Sequence, residues 1–324
     1  MSSTSARWAA VDKLRVSVLM TAYNRAPYIG AAIESVLAQT FGDFELLITD
    51  NCSTDDSFAI AKRYETLDPR IRVVRNERNL GQFGNRNRAA ELAKAPLLKY
   101  HDSDDLMYPH CLAVMVAMMD AEPSAGFGLS TGNAWPGGPC PMLLTPRMAY
   151  QREFFGGGMF QAGPGGSIFR AEVFHALGGF ADEGSPSDHL FWLRACTKVN
   201  VVLMPGDLFW YRTHPDQEFQ TRTAQMQTAK MPGLIWNALN APECPLTPEE
   251  RERAKRNRAY HLAKRTMQDV RRGRWRIAAE RLRLSNMSAG DWLKYLRPPD
   301  RNANAGTPLT ADGDFVTPKW VHKA

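Results

Sequence analysis

His101-Asp102-Ser103-Asp104-Asp105 crowds three carboxylates into four positions, with a histidine beside them. Like charges this close repel, so the cluster is costly unless a cation neutralises it. Magnesium or manganese suits it, being a hard cation that takes oxygen ligands and leaves positions for phosphate. The competing reading is a solvated acidic turn ahead of the helix expected from Pro109. Two other polar clusters accompany it: Thr21-Ala22-Tyr23-Asn24-Arg25 and Asp50-Asn51-Cys52-Ser53-Thr54-Asp55.

Each cluster follows a short apolar run. Residues 16–20, 44–49 and 96–100 read as strands, and 71–74 as another. Between them, apolar residues at helical spacing predict helices over 28–37, from the capping residues 53–56 to Tyr64, over 85–93, and from Pro109 to Ala121. This alternation predicts an α/β fold, an open parallel sheet with helices on both faces. Ligands bind such sheets outside the carboxyl ends of the strands, where all three clusters fall. Residues 123–164, rich in glycine and proline, read as irregular. Strands are expected over 167–169, 199–204 and 208–211, and a helix over 188–196. Beyond about Thr221 the pattern is helical, and after Pro298 it is polar.

The chain has 324 residues and a formal net charge of +6. The excess gathers after residue 250, where lysine and arginine recur from Arg251 to Arg283 among Tyr260, Leu262, Trp275 and Leu282. Such helices either lie on an anionic membrane or pack their apolar stripe on the rest of the chain or a second copy in a homodimer. No recognition motif supports nucleic acid. Five scattered cysteines without a CxxC pair argue against a disulfide framework or structural zinc. No apolar run nears the roughly 20 residues of a membrane span. The expected location is cytoplasmic, with peripheral contact at the inner membrane face if the basic helices meet lipid.

Val16 to Asn24, Ser35-Val36-Leu37-Ala38-Gln39-Thr40-Phe41, Asp50 to Asp55 and Asp102-Ser103-Asp104-Asp105 together resemble the bacterial-type, inverting family 2 glycosyltransferases of GT-A fold. The resemblance continues through Gly165-Gly166-Ser167-Ile168-Phe169-Arg170 and Gly178-Gly179-Phe180 to Tyr211-Arg212-Thr213-His214, covering roughly residues 14 to 220. It implies a Rossmann-like, nucleotide-binding GT-A domain over 14–221, with a donor half to about 122 and an acceptor half after it. Residues 1–13 would be an extension, 222–298 a basic helical region, and 299–324 a flexible tail.

It also implies transfer of a sugar from a nucleotide-diphosphate donor, UDP by family frequency, to a hydroxyl on a glycan, lipid-linked glycan or protein. Asp102-Ser103-Asp104 becomes the DxD motif, with Asp104 the main metal ligand and Asp102 facing metal or ribose. Thr21, Tyr23 and Asn24 would line the base pocket, with Tyr23 stacked on the base. Asp50 would bond base or ribose. Asn51 stands where many relatives carry a second Asp, and its carbonyl could still accept from a base N–H. Gly81 would allow close backbone approach, and Arg86 would pair with phosphate or lie on a solvated helix face. His214 would hold metal or diphosphate. Asp188 would be the general base, with Asp182 and Glu183 as neighbouring alternatives. The competing functions are a sugar-nucleotide pyrophosphorylase, whose basic glycine-rich loop is missing after the first strand, and a non-catalytic nucleotide-sugar-binding module.

Overall fold

The computed structural model describes residues 14–130, 140–182, 184, 186–214, 217 and 228–295. The expected N-terminal extension, the polar tail, the boundary near residue 221 and Glu183 lie outside them.

Four parallel strands form the first half of the main sheet: β1 (Val16–Ala22), β2 (Phe44–Asp50), β3 (Ile71–Arg75) and β4 (Leu97–Asp102). β1 and β2 are apolar runs buried almost throughout, as strands covered on both faces must be. The helices between them are α1 (Ala26–Leu37), α2 (Ser57–Leu67) and α3 (Gly81–Leu92). α2 starts directly after the capping stretch 53–56, with Asp56 at its N-cap position. Asp55 spends its carboxylate on the Ala26 and Ser57 amides, so 53–56 is a turn bridging α1 and α2. α3 starts four residues earlier than expected.

The second half departs from an all-parallel sheet. After β5 (Leu106–Met107) and α4 (Cys111–Ala121) come β6 (Ala125–Ser130), β7 (Met142–Leu144) and α5 (Pro146–Phe155), in the stretch read as irregular. β8 (Ser167–Arg170) lies antiparallel between β4 and β6, β9 (Asn200–Met204) parallel to β6, and β7 antiparallel at the edge. The order is β3-β2-β1-β4-β8-β6-β9-β7. Glycines hid β6: a Cβ at Gly128 would collide with Met204, and one at Gly126 with Val173 and Val199. Close packing across the strand replaced the usual β-branched signature. One core cluster, with Ile29, Ile33 and Met115, covers one face of the sheet; the other, with Tyr100, Phe169 and Trp192, covers the opposite face.

α6 (Ala171–Ala176) and α7 (Ser187–Ala195) follow β8. β10 (Phe209–Trp210) leaves the main sheet and pairs antiparallel with β5, Phe209 opposite Met107. The C-terminal region is helical as expected: α8 (Met231–Asn240), α9 (Pro248–Arg271), α10 (Trp275–Arg283) and α11 (Ala289–Tyr295). Thr247 and Glu250 close a capping box at the start of α9, with Pro248 in its first turn. All five cysteines are free. No helix of the described residues is long and apolar enough to cross a membrane.

Candidate active site

The register of the parallel strands sets the ends of β1, β2 and β4 side by side: Thr21 opposite both Thr49 and Asp102, Ala22 opposite Asp50. The three clusters therefore share one sheet edge. Tyr23 stands just past β1 with its ring 45% exposed, free to receive a flat ligand. Asp50 is buried. Its Oδ2 accepts from the Ser53 amide and lies 3.3 Å from Arg75 Nε, while Oδ1 has no hydrogen-bond partner. An unsatisfied buried carboxylate oxygen is costly, and an N–H or O–H from a ligand at that edge would satisfy it.

Asn51 faces elsewhere. Its Oδ1 accepts from Asn76 Nδ2 at 3.0 Å and the Leu80 amide at 2.9 Å; its Nδ2 donates to Asn79 Oδ1 and Gly81 O. Asn76 continues to Asn85, and Asn85 to Thr49 O. The expected base contact by Asn51 is thus replaced by a buried amide ladder that fixes the loop before α3. Gly81 belongs to the same loop. Its φ of +75° favours glycine, and a Cβ there would meet no protein atom within 4 Å, so the backbone is open on that side. Asn24 joins the first two clusters through the Thr54 and Ser53 bonds, at a φ of +53°.

In the acidic cluster the carboxylates face different partners. Asp104 Oδ2 accepts from Arg25 Nε at 2.8 Å and lies 3.0 Å from His214 Nε2. The β5–β10 pair makes this meeting: it starts beside the cluster and returns the chain 100 residues later, so that Arg212 donates its amide to Asp105 and its Nε to Asp104 O. Arg25 and Arg212 carried no role in the sequence pattern, though Arg25 sits within a polar strand-end cluster. Asp102 instead pairs with the buried Arg86. Arg86 is therefore a buried group and not a solvated one, and it engages Asp102 through Oδ1. Ser103 is buried.

Among the described residues no three His, Cys, Asp or Glu side chains are grouped to hold a metal. The pair Asp104–His214 nevertheless fits a hard dication that completes its shell with diphosphate oxygens. Arg25 and the His214 ring nitrogen converge on one Asp104 oxygen, so a carboxylate oxygen and an imidazole nitrogen, both ligand types for such a cation, stand within 3.0 Å of each other.

Burial dominates the titration here. It pushes Asp105 up to about 8, with Asp102 adding repulsion. It pushes His101 down to about 3, helped by Lys99, so the ring is neutral, and neither ring nitrogen has a hydrogen-bond partner. Lys99, an interruption in an apolar strand, is fully buried under the cluster and donates to the Tyr100 and Gly165 carbonyls.

The acceptor side approaches from β8 and α7. A side chain at Gly166 would strike the Ser130 carbonyl, and one at Gly165 would stand 3.6 Å from Asp102 Oδ2, so the glycines let this segment close onto the acidic cluster. Asn87 clamps the Gly178-Gly179-Phe180 segment through both the Phe180 amide and carbonyl. Asp188 opens α7, and its carboxylate accepts from the His189 amide at 2.7 Å. Burial raises its pKa to about 6, offset by that amide and by Arg86. The Arg86 guanidinium thus feels the charges of both Asp102 and Asp188. The edge holds an exposed ring, an unsatisfied carboxylate, a cation-ready carboxylate–imidazole pair, and a separate carboxylate poised to accept a proton near neutral pH.

Comparison with known proteins places these features in a family context. Residues 17–177 match the profile described as Glycosyl transferase family 2. The chain is 42% identical over 90 residues to the putative teichuronic acid biosynthesis glycosyltransferase TuaG of Bacillus subtilis, covering 28% of this chain and 36% of that one. It is 37% identical over 109 residues to the UDP-Glc:alpha-D-GlcNAc-diphosphoundecaprenol beta-1,3-glucosyltransferase WfgD of Escherichia coli, covering 34% and 42%. The matches thus span less than half of these relatives. In fold, the chain is similar to S. aureus TarS 1-349 in complex with UDP-GlcNAc, at a TM-score of 0.65 and 19% identity over 87% of this chain and 82% of that one. It is also similar to the mannosyltransferase PcManGT from Pyrobaculum calidifontis in complex with GDP-Man and Mn2+, at 0.60 and 18% over 89% and 84%.

Proposed function

The chain belongs to glycosyl transferase family 2 through residues 17–177, and from that premise we propose that it transfers a sugar from a nucleotide-diphosphate donor to a hydroxyl acceptor, inverting the anomeric carbon. The observation that carries this reading is the division of labour along one sheet edge. Asp104 with His214 faces the place for a diphosphate, while Asp188 stands apart with a pKa near 6. UDP is the favoured nucleotide, supported by the UDP-Glc donor in the name of the E. coli relative and the UDP-GlcNAc complex of the TarS neighbour. The diphosphoundecaprenol in that relative's name likewise supports a lipid-linked glycan as acceptor.

The nucleobase stacks on Tyr23, beside Thr21, and Asp50 Oδ1 accepts from base or ribose. Asn24 and Asn51 hold the loops that shape this pocket. A divalent cation, manganese or magnesium, would be held by Asp104 and His214 and would supply positive charge to the departing diphosphate. Asp102, paired with Arg86, faces the donor beside Gly165. The acceptor oxygen bonds to the anomeric carbon as the bond to the diphosphate oxygen breaks, and its proton passes to Asp188. One displacement gives inversion without a covalent enzyme intermediate. Family membership and the carboxylates Asp104 and Asp188 speak against both the pyrophosphorylase and the non-catalytic module.

Incubating the chain with UDP-glucose, UDP-N-acetylglucosamine or GDP-mannose and Mn2+ releases free nucleoside diphosphate from at least one, by transfer to water, and EDTA stops the release. Binding without release from any of the three would leave a nucleotide-sugar-binding module. In the same panel Tyr23→Ala weakens nucleotide binding by about 1–3 kcal/mol, read by calorimetry, because it removes only stacking.

The basic helices divide between the two expected roles. Ala254 of α9 is buried in the main core, Ala259 packs with Trp236 and Tyr295 of the neighbouring helices, and Arg258, Arg274 and Arg281 are spent on internal ion pairs. Trp275 and Leu282 stay exposed on one strip of α10, near Arg271, Arg272 and Arg276, which are exposed. This supports peripheral contact with anionic lipid. Phosphatidylglycerol vesicles co-sediment the chain, Trp275→Ala reduces the bound fraction severalfold, and equal binding to phosphatidylcholine vesicles would reject an electrostatic contact.

A further inference from the structure

Glu153, near the end of α5, is a buried carboxylate that the proposed chemistry does not use; its side chain is 2% exposed. Oε2 accepts from the amides of Met159 and Phe160 at 2.9 and 3.0 Å. Oε1 accepts from Arg258 on α9 at 3.0 Å, across 105 residues of sequence. A buried carboxylate of this kind depends on its cation, and losing the cation strands the charge. Two amide bonds then depend on an arginine from the C-terminal region.

The loop those amides belong to has little rigidity of its own. It opens with Gly156-Gly157-Gly158, and Gly157 and Gly158 sit at φ +97° and +89°. Yet it is the flooring of α7. Phe160 meets the His189 ring edge-on at 5.9 Å, and Ala162 O accepts from Trp192 Nε1 at 2.9 Å. Tyr150 of α5 donates to Leu193 O at 2.8 Å. His189 is the residue after Asp188, and its amide bonds the Asp188 carboxylate. The same loop runs on into Pro164–Gly166, which lies against Asp102 and Phe209. α9 is itself moored to α5 at several points. Arg147 and Gln151 bond Glu250, Arg253 lies 3.8 Å over the Phe155 ring, and Arg258 lies 5.0 Å over Phe154.

We propose that Arg258 is a positioning residue for the acceptor half: by neutralising Glu153 it fixes loop 156–163 against the first turn of α7, and so fixes where the Asp188 carboxylate stands. The C-terminal helix is then part of the transfer machinery and more than an appendage. The proposal rests on the glycosyl-transfer reading only for the role of Asp188; the coupling of Arg258 to the loop stands on the contacts themselves. Displacements of about 1 Å at a base are enough to cost large factors in rate, so a loosened floor shows in turnover before it shows in donor binding.

The test uses the full chain with Arg258→Met and Arg258→Lys. The readouts are amide hydrogen exchange over 157–162 and 187–193, UDP affinity, and the kcat of donor hydrolysis with the most active of the three donors above. Arg258→Met speeds exchange at Met159 and Phe160 and lowers kcat, each by about tenfold or more, while UDP affinity stays within about twofold. Arg258→Lys restores most of both, since an ammonium still neutralises Glu153. If Arg258→Met does not fold, the pair Glu153→Gln and Glu153→Gln/Arg258→Met replaces it. With the carboxylate gone, removing the arginine changes neither exchange nor kcat further. Unchanged loop exchange, or a kcat per folded molecule equal to the parent's, overturns the proposal. Failure of the parent chain to turn over any donor condemns the glycosyl-transfer reading instead, and the exchange measurement still decides whether Arg258 holds the loop.

Discussion

Asp188→Asn removes two or more orders of magnitude from donor turnover and leaves nucleotide affinity unchanged. General bases contribute about 10²–10⁴-fold, and Asn keeps the shape of the side chain while losing the site that takes the proton. The parent's pH profile carries the same signature. Burial opposes the charged carboxylate and raises its pKa to about 6. The active, ionised form therefore disappears as pH falls through about 6, and turnover drops roughly tenfold per unit below it. Stability runs the other way. The folded chain holds this proton more tightly than the unfolded one, whose Asp sits near 3.8. The contribution favours folding below that value and is lost as pH rises through about 6. Asp188→Asn flattens that part of the stability profile, measurable by denaturant titration at pH 4.5 and 7. Parent-like turnover in Asp188→Asn would move the base elsewhere, with Asp182 the next carboxylate to test.

Asp104→Ala has an effect at least as large, by a different route. A cation that stabilises the leaving diphosphate contributes several kcal/mol, so its loss lowers turnover about a thousandfold or more. The distinguishing reading is linkage. In the parent, Mn2+ strengthens UDP binding; in Asp104→Ala, calorimetry with Mn2+ and with EDTA gives the same weak affinity. Folding changes little. The substitution removes one partner of Arg25, whose guanidinium still donates to the Tyr23 and Asn24 carbonyls, and it also removes one of three crowded carboxylates. An Asp104→Ala variant whose UDP affinity still rises with Mn2+ would assign the cation to other ligands.

The two carboxylates differ in how legible they were. The acidic cluster announced itself, because three acids in four positions behind an apolar strand require an explanation from charge repulsion alone; the choice of Asp104 within it came from family resemblance. The place of Asp188 came from family resemblance; a single Asp at the start of a helix has the form of an ordinary cap. Its neighbourhood makes the difference, since burial raises its pKa and the Arg86 charge acts on it from α3, far earlier in the chain. Asn51 ran the opposite way. Its position beside Asp50 suggested a base contact, but Asn76, Asn79, the Leu80 amide and the Gly81 carbonyl consume its hydrogen bonds. A row of asparagines is legible in the sequence; which of them pair is a matter of loop path.

By itself the sequence determined the parallel half of the sheet and the edge on which the chemistry lies. Apolar periodicity and strand-end polarity are local properties, read within about ten residues. The mixed second half, with β6, β7 and α5, escaped because glycine packing and short strands leave no periodic trace. Only the tertiary structure decided which carboxylate meets which cation. β5–β10 pairing delivers His214 to Asp104, α3 delivers Arg86 to Asp102, and α9 delivers Arg258 to Glu153. Each is a contact between side chains on different elements, fixed by how whole elements pack, and no local pattern of residue types encodes it.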